Sequence, residues 1–346
     1  MKKIGKVAIV GGTGMVGTEL LKVMKRHELV PSKLIITGDR TVGQRKSTPY
    51  GQRMVKPSNL ESCLGADLVF LAAGAEVSKE LARPLLEADK NVRIIDLSSA
   101  FRYEPDVPLV IWSINGDTIG EARLIATPNC TTSIALMALA PLHQKKSPIK
   151  AISLVSYQAA SGAGQDALAD LEKQIKDWCT SGQAPQFGTT GKGHKYPLAG
   201  NLIPHIDIAD PKWQGFTKEE MKFQWETNKI LFRTRIDDLN VPISATCVRV
   251  PVRRCHSMVI HVRFNNILTR LDIKYCLVQT GMVKIIDDVA NYQYPMPLNM
   301  EGEEKIGVGR IRYATLDHHE VLMWVVGDQL LRGAALSAVE IAENIF

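Results

Sequence analysis

Apolar positions follow two patterns along the chain, and the change comes near residue 150. Before it, short apolar runs recur at residues 7–10, 34–37, 68–72, 92–97 and 124–126, with amphipathic stretches such as 19–24 and 78–88 between them. Short buried strands alternating with helices predict a parallel, doubly wound sheet. Beyond it, residues 259–264, where His261 and Arg263 interrupt the apolar positions, and the apolar run 321–326 predict an antiparallel sheet with one covered face. Two helices are expected here as well. Leu168, Leu171, Ile175 and Trp178 mark an apolar stripe, and residues 330–345 carry Leu331, Ala334, Ala335, Ala338, Ile341, Ala342 and Ile345 on one buried side. At 346 residues the chain suits two domains better than one core. No repeat, low-complexity tract or linker separates them. The expected division is an α/β domain at 1–132 rejoined by 328–346, and an intimately attached α+β domain at 133–327.

Composition narrows the class. Hydrophobic residues make up 45% and charged residues 23%, an ordinary globular mixture. Lys and Arg number 42 against 36 Asp and Glu, and the net +6 is spread along the chain, which suits small anionic ligands rather than a nucleic acid. Residues 1–7 lack the apolar stretch of a signal peptide. The longest segment without Lys, Arg, His, Asp or Glu, 124–142, is broken by Pro128, Asn129 and Pro141, which argues against a membrane span. Six cysteines, at 63, 130, 179, 247, 255 and 276, show no CxxC spacing, so a zinc site and a disulfide framework are disfavoured and a reducing cytoplasm is expected. His318 and His319 have no third ligand at metal spacing; they read as a loop, and no metal is expected.

Chemistry enters through local motifs. Gly12, Gly14 and Gly17 fit G-x-G-x-x-G between a strand and a helix, as in a Rossmann nucleotide-binding domain. There the backbone approaches a pyrophosphate and the helix N–H groups aim at it. The second strand ends in Gly38, Asp39, Arg40 and Thr41. An acid at this place suits the ribose of NAD and an Arg the 2′-phosphate of NADP; both are present, and Arg40 with the Thr41 hydroxyl favours NADP. Cys130 falls at the start of a predicted helix, where the dipole and free N–H groups favour thiolate and would hold an oxyanion. The other five cysteines read as small buried hydrophobes. A thiolate nucleophile needs a base, and of eight histidines His256, which opens a strand, is the best placed. Gln158 precedes a small-residue loop, 159–164, that would admit a flat ligand to the backbone or serve as a simple turn. Glu219 and Lys222 lie at i, i+3 on one helix face, where they would form an ordinary surface pair.

Taken together, these segments resemble the aspartate-β-semialdehyde dehydrogenase family. The matching motifs are GGTGMVG at 11–17, SSAFR at 98–102, PNCTT at 128–132, SYQAASGAG at 156–164, EEMK at 219–222 with ETNKI after it, CVRVPV at 247–252 with its trailing His, YPMP at 294–297, VGRIR at 308–312 and GAALSAVEIAE at 333–343. They run in family order over nearly the whole chain. The resemblance implies NADPH-dependent reductive dephosphorylation of L-aspartyl-β-phosphate to aspartate semialdehyde, serving lysine, diaminopimelate, threonine and methionine biosynthesis. Cys130 would form the thioacyl intermediate, His256 would be the acid/base, and Gln158 would orient the substrate. Asn129 would contact phosphate or oxyanion, and Arg102 and Lys222 would bind phosphate. Arg249 would grip the α-carboxylate and Glu219 the amino group, with Glu220 one residue away as an alternative. Cofactor contacts would come from Gly12, Thr13, Gly14, Met15 and Val16, from Arg40 and Thr41, from Ser161, Gly162 and Gly164, and from Gln329. The family also implies a homodimer or homotetramer built through the second domain.

Several positions depart from the family pattern. Cys255 replaces a usual Gly, Gln329 an Asn, Leu331 a basic residue and Gly38 a Ser. Related acyl-phosphate reductases of the N-acetyl-glutamyl-phosphate type share the thioacyl route but carry Gly where this chain has Asn129. A non-catalytic nucleotide-binding paralogue would have lost residues that are all present here.

Overall fold

A computed structural model describes residues 2–346 apart from 187, 189–195, 210, 214, 239, 315 and 316. The chain falls into two units, Met1–Asn129 with Gly333–Phe346, and Cys130–Arg332. The first joint falls at the start of the helix that begins at Cys130, which stays whole within the second unit.

In the first unit, strands β1 (Lys2–Val10), β2 (Leu29–Thr37), β3 (Arg45–Thr48), β4 (Gly51–Lys56), β5 (Leu68–Leu71), β6 (Arg93–Asp96) and β7 (Leu124–Ala126) form one sheet in the order 3-4-2-1-5-6-7. Neighbours are parallel except β3 and β4, an antiparallel edge hairpin. The strand order reverses beside β1, and the glycine turn follows β1 at that switch point, where open α/β sheets hold ligands. The edge hairpin escapes the apolar pattern because its residues are mostly exposed and polar. Helix Met15–Arg26 packs against the terminal helix Leu336–Ile345, and His27 pairs with Glu343 at 3.3 Å. Terminal residues Leu331, Ala335, Ala338, Ile341 and Ala342 are buried, whereas Ala334 and Ile345 are only half-buried.

In the second unit, β8 (Ile149–Gln158), β9 (Ile243–Arg249), β10 (His256–Phe264), β11 (Val283–Ile285), β12 (Ile306–Ala314) and β13 (Asp317–Gly327) take the order 11-12-13-10-8-9. The central pairs are antiparallel, but β8/β9 and β11/β12 are parallel, so the sheet is mixed rather than antiparallel. Long crossovers permit this: the chain between β8 and β9 carries helices Gln165–Ser181 and Lys218–Thr227, and a parallel pair needs such a connection.

Helix Cys130–Lys145 lies against the inner face, with every residue from Thr131 to Leu142 buried. On helix Gln165–Ser181, Leu171 and Leu168 pack with Ala160, Leu198 and Ile203, but Ile175 and Trp178 remain exposed. His318 and His319 belong to β13 and not to a loop, since pairing from Ala314 and Asp317 onward extends the ladder beyond the apolar run. Four of the five remaining cysteines are buried; Cys179, near the end of its helix, is exposed against expectation. Among the described residues no helix is long and apolar enough to cross a membrane, and no group of His, Cys, Asp or Glu is arranged to hold a metal.

Candidate active site

In the first unit, the glycine turn is sterically determined. A Cβ on Gly17 would fall 2.4 Å from the Gly11 carbonyl oxygen, so only glycine lets helix Met15–Arg26 start this close to β1. Gly14 caps that helix without a side-chain hydrogen bond, and the first-turn N–H groups beside Thr13, Met15 and Val16 suit a pyrophosphate. Beyond β2, a Cβ on Gly38 would meet Thr13 Oγ1 at 2.4 Å, which explains the absence of a Ser there. The Thr41 hydroxyl instead reaches Thr13 Oγ1 at 3.3 Å, and the Asp39 carboxylate accepts the Ser58 N–H at 3.2 Å. Arg40 is exposed alongside them.

Arg102 is buried, and its Nε donates to the Thr127 carbonyl at 2.8 Å. The loop that carries it hangs from Asp96, which accepts the Ser78 hydroxyl at 2.8 Å, the Ser98 N–H at 3.0 Å and the Ser98 hydroxyl at 2.9 Å. Burial raises the Asp96 pKa despite those bonds. Asn129, half-buried, ends this segment of the unit.

The second unit gathers the remaining chemistry into a row across its sheet. Gln158, the last residue of β8, pairs in register with Arg249, the last residue of β9. His256 opens β10 opposite Gly327 and, one step beyond the Ser257–Tyr157 pair, stands level with Gln158. Strand alternation turns all three side chains to the inner face, the one covered by the Cys130-headed helix. Gln158 Nε2 donates to Thr131 Oγ1 at 3.0 Å, which ties the row to the first turn of that helix. It also reaches Ser156 Oγ and Glu219 Oε1, each at 3.2 Å. Cys130 itself is half-buried.

Glu219 and Glu220 are separated by their partners. Glu220 forms a capping box with Thr217 and accepts the Cys247 N–H at 3.0 Å, so its carboxylate is spent on the fold. Glu219 turns to the row. Burial pushes its pKa up, but the Lys222 charge and hydrogen bonds from Lys222 and Gln158 outweigh that and bring it to about 2. Lys222 Nζ lies 2.9 Å from Glu219 and 2.8 Å from Asp207. Burial lowers its pKa, yet the two carboxylates hold it well above the ordinary lysine value. The pair is therefore part of a largely buried triad with Asp207, not a surface bridge.

His256 is fully buried. Its Nδ1 accepts the Ala159 N–H at 3.1 Å, so the neutral ring carries its proton on Nε2, which has no hydrogen-bond partner among the described residues. Burial, aided by the nearby Arg249 charge, brings the imidazole to about 3. A neutral ring with an Nε2–H that has no partner among the described residues is set to donate. To act as the base expected for Cys130 it must first exchange tautomers.

Arg249 Nη1 donates to the Ala159 carbonyl at 2.7 Å, which leaves other guanidinium N–H groups for a carboxylate, and burial lowers its pKa. One residue, Ala159, thus orients both groups through its backbone, a role with no trace in the sequence. The Ser161, Gly162 and Gly164 loop follows directly. A Cβ on Gly162 would stand 2.8 Å from His256 Cε1 and 3.0 Å from Arg249 Nη1. Gln329 is buried, with its amide engaged by Cys255 and Ser161.

A parallel nucleotide sheet in one unit, and a cysteine-headed helix over a mixed sheet in the other, define a class. Residues 6–122 match the family model of the semialdehyde dehydrogenase NAD binding domain, and residues 139–332 that of the semialdehyde dehydrogenase dimerisation domain. The chain is 38% identical over 345 residues to the aspartate-semialdehyde dehydrogenase of Aquifex aeolicus, covering 98% of this chain and 97% of that one. It is 36% identical to that of Synechocystis, covering 98% and 96%. The crystal structure of aspartate semialdehyde dehydrogenase II complexed with ASA from Vibrio cholerae superposes with a TM-score of 0.88 at 30% identity, covering 99% and 98%. The chain belongs to the aspartate-semialdehyde dehydrogenase family.

Proposed function

We propose that the chain catalyses reductive dephosphorylation of L-aspartyl-β-phosphate by NADPH, with residues 1–132 and 328–346 as the nucleotide domain and 133–327 as the catalytic and dimerisation domain. The observation that carries this reading is the row of Gln158, Arg249 and His256 tied to the Cys130 helix. The Cys130 thiolate attacks the acyl carbon; the S–C bond forms, the C–O bond to phosphate breaks, and phosphate leaves with the electron pair. Arg102 and Asn129 take the phosphate, and Lys222 contributes less because Asp207 and Glu219 already share its charge. Arg249 holds the α-carboxylate by a two-pronged contact, while Glu219, kept ionised, takes the ammonium. Gln158 orients the acyl group. When bound, the nicotinamide supplies a hydride to the thioester carbon. His256 Nε2–H donates to the oxygen as it gains charge, and collapse of that centre expels Cys130 as thiolate and frees the aldehyde.

NADP rather than NAD is favoured by Arg40 and Thr41, together with an Asp39 already engaged by Ser58. The thiol requires a reducing compartment, which points to the cytoplasm. A homodimer is supported by the outer sheet face, where Val155, Tyr157, Val259, Leu322 and Trp324 stay half-buried and the Tyr157 and Trp324 rings lie 5.8 Å apart. The test is phosphate-dependent reduction of NADP, with NAD in parallel, by aspartate semialdehyde. Cys130→Ala should lower it by several orders of magnitude in a folded protein; unimpaired activity in that variant would sink the mechanism.

A further inference from the structure

We infer that Gln329 is a positioning residue for His256, acting through the Cys255 backbone and the loop that bears Ser161. The inference rests on the reaction proposed above. Cys255 immediately precedes His256 and has φ +73, a left-handed conformation that disfavours any side chain. Its thiol is fully buried against Met300 and Val326, and burial pushes its pKa far up, so the side chain packs and does not react. Gln329 holds this strained turn: its Oε1 accepts the Cys255 N–H at 2.8 Å.

The other end of the amide reaches the opposite support of the ring. Gln329 Nε2 donates to Ser161 Oγ at 2.6 Å, and the Ser161 hydroxyl in turn donates to the Arg253 carbonyl. Ala160 N–H donates to the Val252 carbonyl at 2.8 Å, closing the same loop onto the segment before His256. From this loop Ala159 grips Nδ1. The imidazole is thus clamped between two segments, and one buried amide spans both. The platform beneath it is rigid as well, since Asp328 pairs with Arg254 at 2.8 Å and accepts the N–H groups of Gly302 at 2.8 Å and Leu330 at 3.0 Å. An Asn at 329 is one methylene shorter and cannot bridge the two anchors, while a Gly at 255 needs no such hold. The two departures from the family pattern act as one coupled change that holds the imidazole.

The test compares Gln329→Ala, Gln329→Asn and the double variant Cys255→Gly with Gln329→Asn, in the phosphate-dependent assay with aspartate semialdehyde and NADP. Both single variants should lower kcat roughly 10- to 100-fold and shift its pH profile. The double variant should recover to within about threefold of wild type, which also keeps the test open if Gln329→Ala folds poorly. A raised KM for NADP at unchanged kcat, or a double variant no better than Gln329→Asn, overturns the inference. Inactive wild-type protein would instead defeat the proposed reaction; active wild type with indifferent variants defeats only the positioning role.

Discussion

Gly162→Ala is the sharpest probe of the site, because one methyl group meets two of the three polar groups of the row. Its Cβ would stand 2.8 Å from His256 Cε1 and 3.0 Å from Arg249 Nη1. Non-bonded carbons settle at about 3.5–4.0 Å, so the imidazole must retreat by roughly 0.7–1.2 Å. It has nowhere easy to go, being fully buried and fixed at Nδ1 by Ala159. A displacement of that size at reacting groups costs about 10²-fold in rate. Overpacking should take only about 1–3 kcal/mol from stability, so the variant should fold. Steady-state kinetics with aspartate semialdehyde should show kcat down by about two orders of magnitude. KM for the semialdehyde should rise as Arg249 shifts, while circular dichroism stays native. Wild-type kcat and KM would refute the claim that this loop sets the imidazole during turnover.

Two further outcomes follow from the charges. His256 is held neutral down to about 3 in the fold but takes a proton near 6.5 when unfolded. Its contribution to stability is therefore complete above pH 6.5 and is lost as the pH falls toward 3, at about 1.4 kcal/mol per pH unit. Denaturation midpoints of wild type and His256→Gln should converge on acidification from pH 7 to 4; parallel curves would contradict a buried neutral ring. The adjacent acids should also separate. Glu220→Ala loses the capping box and the Cys247 bond and should cost about 1–3 kcal/mol in denaturant melts with little change in substrate KM. Glu219→Gln should mainly raise KM for the semialdehyde, and the reverse pattern would exchange their assignments.

Much of the molecule is legible in the chain alone. Alternating apolar runs in the first half specify a parallel sheet because buried strands and amphipathic helices leave periodic traces. The glycine turn and the Cys130 helix start are equally visible, since local backbone chemistry requires particular residues there. What leaves no local signal had to come from the tertiary structure. The polar β3/β4 hairpin buries too little to show a pattern, and the parallel edges of the second sheet depend on crossovers tens of residues long. Register across four strands brings Arg249, Gln158, His256 and Gly327 level, although they are scattered over the sequence. Sequence resemblance favoured Glu219 over Glu220 but could not show what separates them, because that lies in which partner each carboxylate meets. Nor could it show that the His256 proton sits on Nε2, which is decided by one backbone N–H from Ala159, a residue whose side chain plays no part. Residue types determine what chemistry is available; long-range packing decides which atoms face each other and in which protonation state.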